Sequence, residues 1–248
     1  MIVYGRNPVR EALRGRRRVA RVWATERVAR EPWLRDAREV VHATDAELAQ
    51  RSGSPDHQGI CADASEFEYA DPRSLLAADD ALVICLDEVT DPRNLGAICR
   101  VAEGAGAAGV VVGERRSAHV TPVVCKSSAG AVEHLPVARV RNVADFLAAA
   151  KEDTAWVYGA STSPEAVPYD QPDYRGRVVL VLGSEGRGLR PRVAAACDQL
   201  IALPMLGRVE SLNVSAAAAA LVYGILHFVR PGLTGFHKPG NLARTDKA

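Results

Sequence analysis

Ser211, Asn213 and Ser215 alternate at the end of a Pro/Gly-containing loop, Leu203-Pro-Met-Leu-Gly-Arg-Val-Glu210, directly ahead of the small-residue run Ala216 to Ala220. Ser and Asn are good helix caps because a side-chain oxygen accepts an otherwise unpaired backbone N–H. The pattern predicts a helix from about 213 to 229. It also presents a polar cluster at a helix N-terminus, a natural place for a ligand or substrate. Taken alone, the segment reads as a well-capped buried helix, because caps are common and sites are rare.

Two further segments shift that balance. Val178-Val-Leu-Val-Leu-Gly-Ser-Glu-Gly-Arg-Gly-Leu189 is an apolar strand that breaks into a glycine-rich loop with one carboxylate, Glu185. Leu82-Val-Ile-Cys-Leu-Asp-Glu-Val-Thr-Asp-Pro-Arg-Asn-Leu-Gly-Ala-Ile-Cys-Arg100 is a strand, a polar turn and a helix. All three place polar or glycine residues just past the C-terminal end of an apolar strand, the edge where open α/β sheets bind ligands. The glycine spacing matches neither the GxGxxG dinucleotide fingerprint nor a P-loop, which needs GK[ST].

In this order and spacing the three segments resemble the SpoU, or TrmH-like, RNA ribose 2′-O-methyltransferases of the SPOUT class. Asn94 to Arg100, Leu182 to Leu189, and Leu203-Pro-Met through Ser211 to Ser215 match the three family motifs. Tyr4 to Leu13 and His57-Gln-Gly-Ile60 resemble landmarks of the small substrate-binding domain often attached to the family. The resemblance implies S-adenosylmethionine as cofactor, a C-terminal trefoil knot, and a homodimer whose two subunits complete the site. It implies cofactor contacts from Gly183, Leu203 and Leu212, largely through backbone, and catalytic roles for Asn94, Arg100, Glu185, Ser211 and Asn213. A guanidinium holds its proton well above neutral pH. Arg100 is therefore expected to bind the adjacent phosphate and stabilise a developing alkoxide rather than act as a base. The two-domain layout is most similar to bacterial enzymes acting on a 23S rRNA guanosine. A tRNA target, an antibiotic-resistance site on 23S rRNA, or a non-catalytic assembly factor on the same fold are the alternatives.

Composition limits the other classes. The 248 residues are 48% apolar, enough for a substantial core. The five cysteines form no CxxC pair, and the histidines show no metal-ligand spacing, so neither a disulfide framework nor a metal site is expected. No signal peptide or membrane-spanning run is evident, which points to a soluble cytoplasmic protein. Net charge is only +1, but residues 1–40 hold eleven arginines against five carboxylates. The excess centres on Arg16, Arg17 and Arg18, expected to meet RNA phosphates through their planar forks.

The elements around these residues follow from periodicity. Residues 1–75 read as a small α/β, RNA-binding domain with its linker: helix at 9–13, strand at 19–23, helix at 31–37, strand at 40–41, helix at 45–50 and strand at 59–63. Residues 76–232 read as the catalytic domain, with strands at 81–86, 109–112, 135–137, 155–159, 178–182 and 200–203. Its helices are expected near 94–105, 121–131, 142–150, 190–196 and 213–229. Short apolar strands between helices predict a mainly parallel sheet covered on both faces. Residues 233–248 are expected to be a mobile tail.

Overall fold

A computed structural model describes residues 1–229. The expected tail, and the last residues of the catalytic segment, lie outside the described residues. The chain opens with β1 (Ile2–Tyr4), α1 (Arg6–Arg14), β2 (Val19–Ala24), a single turn α2 (Glu26–Ala29), β3 (Val40–His42), α3 (Asp45–Ser52) and β4 (Ile60–Ala64). These strands form a sheet in the order β1-β4-β2-β3, with β4 antiparallel to both neighbours. α3 starts on the Thr44 cap: Thr44 and Glu47 exchange side-chain and backbone hydrogen bonds as a capping box.

The larger unit runs through β5 (Leu82–Leu86), α4 (Pro92–Gly104), β6 (Gly109–Gly113), α5 (Pro122–Ser127), β7 (Val137–Val140), α6 (Val143–Glu152), β8 (Trp156–Ala160), β9 (Val167–Pro168), β10 (Val178–Leu182), α7 (Pro191–Ala196), β11 (Gln199–Ala202) and α8 (Val214–Val229). Seven strands align in the order β7-β6-β5-β10-β8-β11-β9, and every pair is parallel. All five residues of β5, β6 and β10 are buried. Alternation divides them: Ile84, Val110, Val112 and Leu180 pack with residues of α4, α5 and α8, while Val83, Val111, Val179 and Val181 pack with those of α6 and α7. Helices on both faces explain why these strands read as continuous apolar runs rather than alternating ones.

Three expectations change, and two strands are added. Residues 31–37 form no α-helix; Pro32–Asp36 is a 3₁₀ turn opened by the proline, which has no N–H to continue a ladder. The helix expected over 121–131 ends at Ser127, because Ala129 and Gly130 take left-handed φ values of 54° and 89°. The chain then turns through a second 3₁₀ segment, Ala131–Glu133. The strand expected at 135–137 begins instead at Val137. β1 and β9, of three and two residues, were unforeseen, being too short to show a period; β9 ends in Pro168, tolerated at a sheet edge.

The two units share packing. Val3, Val9 and Ala12 of the first lie in one continuous core with Val124, Cys125 and Val132 of the second. Across this contact the Arg17 guanidinium forks onto both oxygens of Glu133, with Nε to Oε2 at 2.8 Å. Both side chains are buried, at 6% and 0% exposure.

Candidate active site

Because every strand of the large sheet runs the same way, all the loops after the strands emerge at one edge. Here the structure brings three of the expected residues into one hydrogen-bonded cluster. Asn94, in the first turn of α4, donates Nδ2 to Glu185 Oε1 at 2.9 Å. Asn213 donates Nδ2 to the same Glu185 oxygen and to Asn94 Oδ1, the latter at 3.2 Å. The other end of the Asn213 amide caps α8: Oδ1 accepts from the Ser215 hydroxyl at 2.6 Å and the Ser215 N–H at 2.9 Å. The cap and the site are therefore one side chain used at both ends, and this fixes its amide orientation. Glu185 Oε2 accepts no hydrogen bond among the described residues.

The glycine loop that carries Glu185 is closed by its own backbone. Ser184 and Gly188 exchange N–H···O=C bonds of 3.1 and 2.9 Å, and Gly188 takes φ +65°. A Cβ on Gly183 would lie 2.2 Å from the Gly188 carbonyl carbon. The close approach that excludes a side chain at 183 is thus made by the loop itself. Asp87, fully buried after β5, anchors the far end of the loop by accepting from the Arg190 N–H at 2.8 Å and its Nε at 2.7 Å.

Beside the cluster lies a cavity of about 440 Å³, between the ends of β8 and β10 and the start of α8. Its lining includes Gly183, Glu185, Ser211, Leu212 and Asn213. It holds two carboxylates, Glu185 and Glu210, and no Lys or Arg. Ser161 and Thr162 also line it and were missed, although they follow β8 just as the anticipated loops follow their strands. Leu203 does not line the cavity; it follows β11 and packs, partly buried, against the core.

Two further expectations meet a different geometry. Arg100 is exposed on α4 and makes no hydrogen bond or ion pair among the described residues. Six residues separate it from Asn94, which puts it about 120° round the helix and roughly 9 Å along it. It therefore does not join the cluster. Arg17 is committed to Glu133, so only Arg16 and Arg18 of the basic triplet stand exposed. All three line a cleft of about 450 Å³ between the two units, with Phe67, Tyr69 and His134.

Thiol chemistry has no place here. Burial pushes the Cys99 and Cys125 thiols up to about 12 and that of Cys61 to about 11, far from the range of a nucleophilic thiolate. No group of three or more His, Cys, Asp or Glu suited to a metal ion occurs among the described residues. Nor is any helix among them long and apolar enough to cross a membrane.

A seven-stranded parallel sheet with a polar cluster and a cavity at its carboxyl edge defines an α/β protein with a candidate site at that edge. The particular family follows from comparison with known proteins. Residues 81–223 match the SpoU rRNA Methylase family, and residues 2–70 match the RNA 2′-O ribose methyltransferase substrate-binding model. A Bacillus subtilis strain 168 protein named "Putative TrmH family tRNA/rRNA methyltransferase YacO" is 37% identical over 90% of this chain and 94% of its own. A Synechocystis protein named "Uncharacterized tRNA/rRNA methyltransferase slr0955" is 36% identical over 94% of the chain, which spans 65% of that relative's length. The SpoU methyltransferase AviRb of Streptomyces viridochromogenes, solved in complex with AdoMet, superposes with a TM-score of 0.77 at 25% identity, covering 92% of this chain and 89% of its own. The chain belongs to the SpoU methylase family, whose members are S-adenosylmethionine-dependent RNA methyltransferases.

Proposed function

We propose that the protein transfers a methyl group from S-adenosylmethionine to a ribose 2′-hydroxyl of structured RNA, a guanosine of 23S rRNA, in the cytoplasm. The observation that carries this reading is the Asn94–Glu185–Asn213 cluster at the wall of a cavity with two carboxylates and no cation. Such a lining suits a ligand with sulfonium and ammonium charges, and the volume of about 440 Å³ falls within the range of small-molecule sites. Bound S-adenosylmethionine supplies an electrophilic methyl group whose sulfur leaves as a neutral thioether.

The residues then divide the work. The glycine loop and Leu212 hold the cofactor, with Leu203 packed against the core just after β11. Asn94 and Asn213 fix the Glu185 carboxylate through one oxygen and leave the other to orient the ribose hydroxyl, whose proton leaves through the adjacent phosphate or water as the methyl group is taken. Ser211, at the cavity wall, takes a second sugar contact. Orientation of this kind supplies several kcal/mol of barrier reduction.

Arg100 serves the site of a second subunit. Its exposed place on α4 supports this. So do the exposed side chains of Tyr223 on the adjoining α8 and of Leu206 and Val209 in the loop before it, since exposed large apolar groups are candidates for an interaction surface. There Arg100 binds the phosphate beside the target and steadies charge on the attacking oxygen. Residues 1–75 form the RNA-binding domain and 76–232 the catalytic domain, whose C-terminal segment threads a trefoil knot. Insertion of β10 between β5 and β8 fits that path.

The test is incubation with labelled S-adenosylmethionine and unmodified rRNA and tRNA pools. Label in 23S rRNA at a guanosine is the expected result. Label in tRNA moves the target, and label in neither pool leaves an assembly factor.

A further inference from the structure

A second cleft, of about 230 Å³, opens on the same edge of the large sheet, beyond the ends of β6 and β7. Five guanidiniums line it, from Arg115, Arg116, Arg141, Arg190 and Arg192, against one carboxylate, Glu88. Three of the five have partners. Arg190 is held on Asp87, Arg192 reaches Asp145 at 3.0 Å, and Arg116 reaches Glu88 at 3.1 Å. Arg115 and Arg141 make no ion pair or hydrogen bond among the described residues, and both are exposed. With three guanidiniums neutralised by their carboxylates, Arg115 and Arg141 leave two uncompensated positive charges at the mouth of the cleft, which attract anions.

Its position gives the anion a role. Glu88, which takes a left-handed φ of 57°, also walls a smaller groove shared with Asn94, Glu185 and Arg187. The arginine cleft and the cluster are thus neighbours along one continuous surface. The charge pattern along it is complementary to the two reactants: a cavity without cations for a cationic cofactor, and a cleft with two unpaired guanidiniums for a polyanion.

We propose that this cleft binds a backbone phosphate of the substrate RNA, close to the nucleotide whose ribose enters the site. The proposal rests on the methyltransferase reading for the identity of the polyanion. RNA rather than free phosphate is the ligand because the unpaired guanidiniums are exposed, where a strand can pass and a small ion would stay hydrated.

The test compares the full-length protein with R115Q/R141Q and R115K/R141K, using transcribed 23S rRNA in filter binding across a salt series. For R115Q/R141Q the slope of log affinity against log salt should shrink by about 1 to 2. R115K/R141K should keep most of it, and calorimetric affinity for S-adenosylmethionine should be unchanged in both. An unchanged slope in R115Q/R141Q overturns the proposal. So does loss of cofactor binding alongside RNA, which would mean the change spreads through the fold. Titration with inorganic phosphate alone should give no saturable binding. Saturation lost in R115Q/R141Q would instead make this a free-anion pocket. Methyl transfer by the wild type is scored separately: its absence strikes the methyltransferase reading, while the salt slope judges the cleft by itself.

Discussion

At the residue scale the account turns on Asn213, whose amide caps α8 with one end and holds Glu185 with the other. The two duties separate by substitution. Asn213→Asp keeps a good capping oxygen but removes the donor and sets a second carboxylate against Glu185. Asn213→Ala loses both duties, and the lost cap costs about 1 kcal/mol of stability. Single-turnover methylation should therefore fall on the order of a hundredfold in both, while thermal melting shows Asp the more stable of the two. Equal activity of Asn213→Asp and wild type would reduce Asn213 to a cap. The three members of the cluster were legible because each stands in a long motif just past an apolar strand. Ser161 and Thr162 were not, because the loop after their strand, Ser161-Thr-Ser-Pro164, belongs to none of the three long motifs. The joint use of Asn213 was also out of reach, since a sequence displays a cap but not what lies 28 positions upstream in space.

At the scale of elements, the break after α5 decides how the two units meet. Ala129 and Gly130 end the helix in left-handed conformations and turn Glu133 onto Arg17. A Cβ on Gly130 would stand 2.7 Å from Glu11 Cβ, so glycine is needed there for close approach as well as for φ. Hydrophobic period alone continued the helix through Ala131, because the contact that rewards stopping is long-range. The same blindness made Arg17 look like its neighbours Arg16 and Arg18. Removing one partner of a buried pair strands the other charge, so Arg17→Ala should cost about 3–5 kcal/mol in denaturant unfolding. Arg18→Ala, at an exposed position, should change stability by no more than about 0.5 kcal/mol. Equal effects would mean that the Arg17–Glu133 pair does not fasten the units together.

At the scale of the whole molecule, the parallel sheet covered on both faces was readable from alternating strands and helices, whereas its strand order was not. Periodicity locates strands but carries nothing about which become neighbours. Arg100 belongs to this scale, because within one subunit it points away from the cluster it is expected to serve. In a symmetric dimer, Arg100→Ala and Glu185→Gln should each nearly abolish methylation alone. Co-expressed, they should recover about a quarter of wild-type activity, since half the dimers are mixed and each mixed dimer holds one intact site. No recovery from a demonstrably mixed dimer would return Arg100 to its own subunit. The central claim, that the methyl group goes to a ribose oxygen held by Asn94, Glu185 and Asn213, is tested most directly by alkaline digestion of labelled RNA. A 2′-O-methyl group blocks attack of that oxygen on the neighbouring phosphate, so the account predicts label in an alkali-resistant dinucleotide, lost with Glu185→Gln. Label released in mononucleotides would put the methyl group on a base and contradict it.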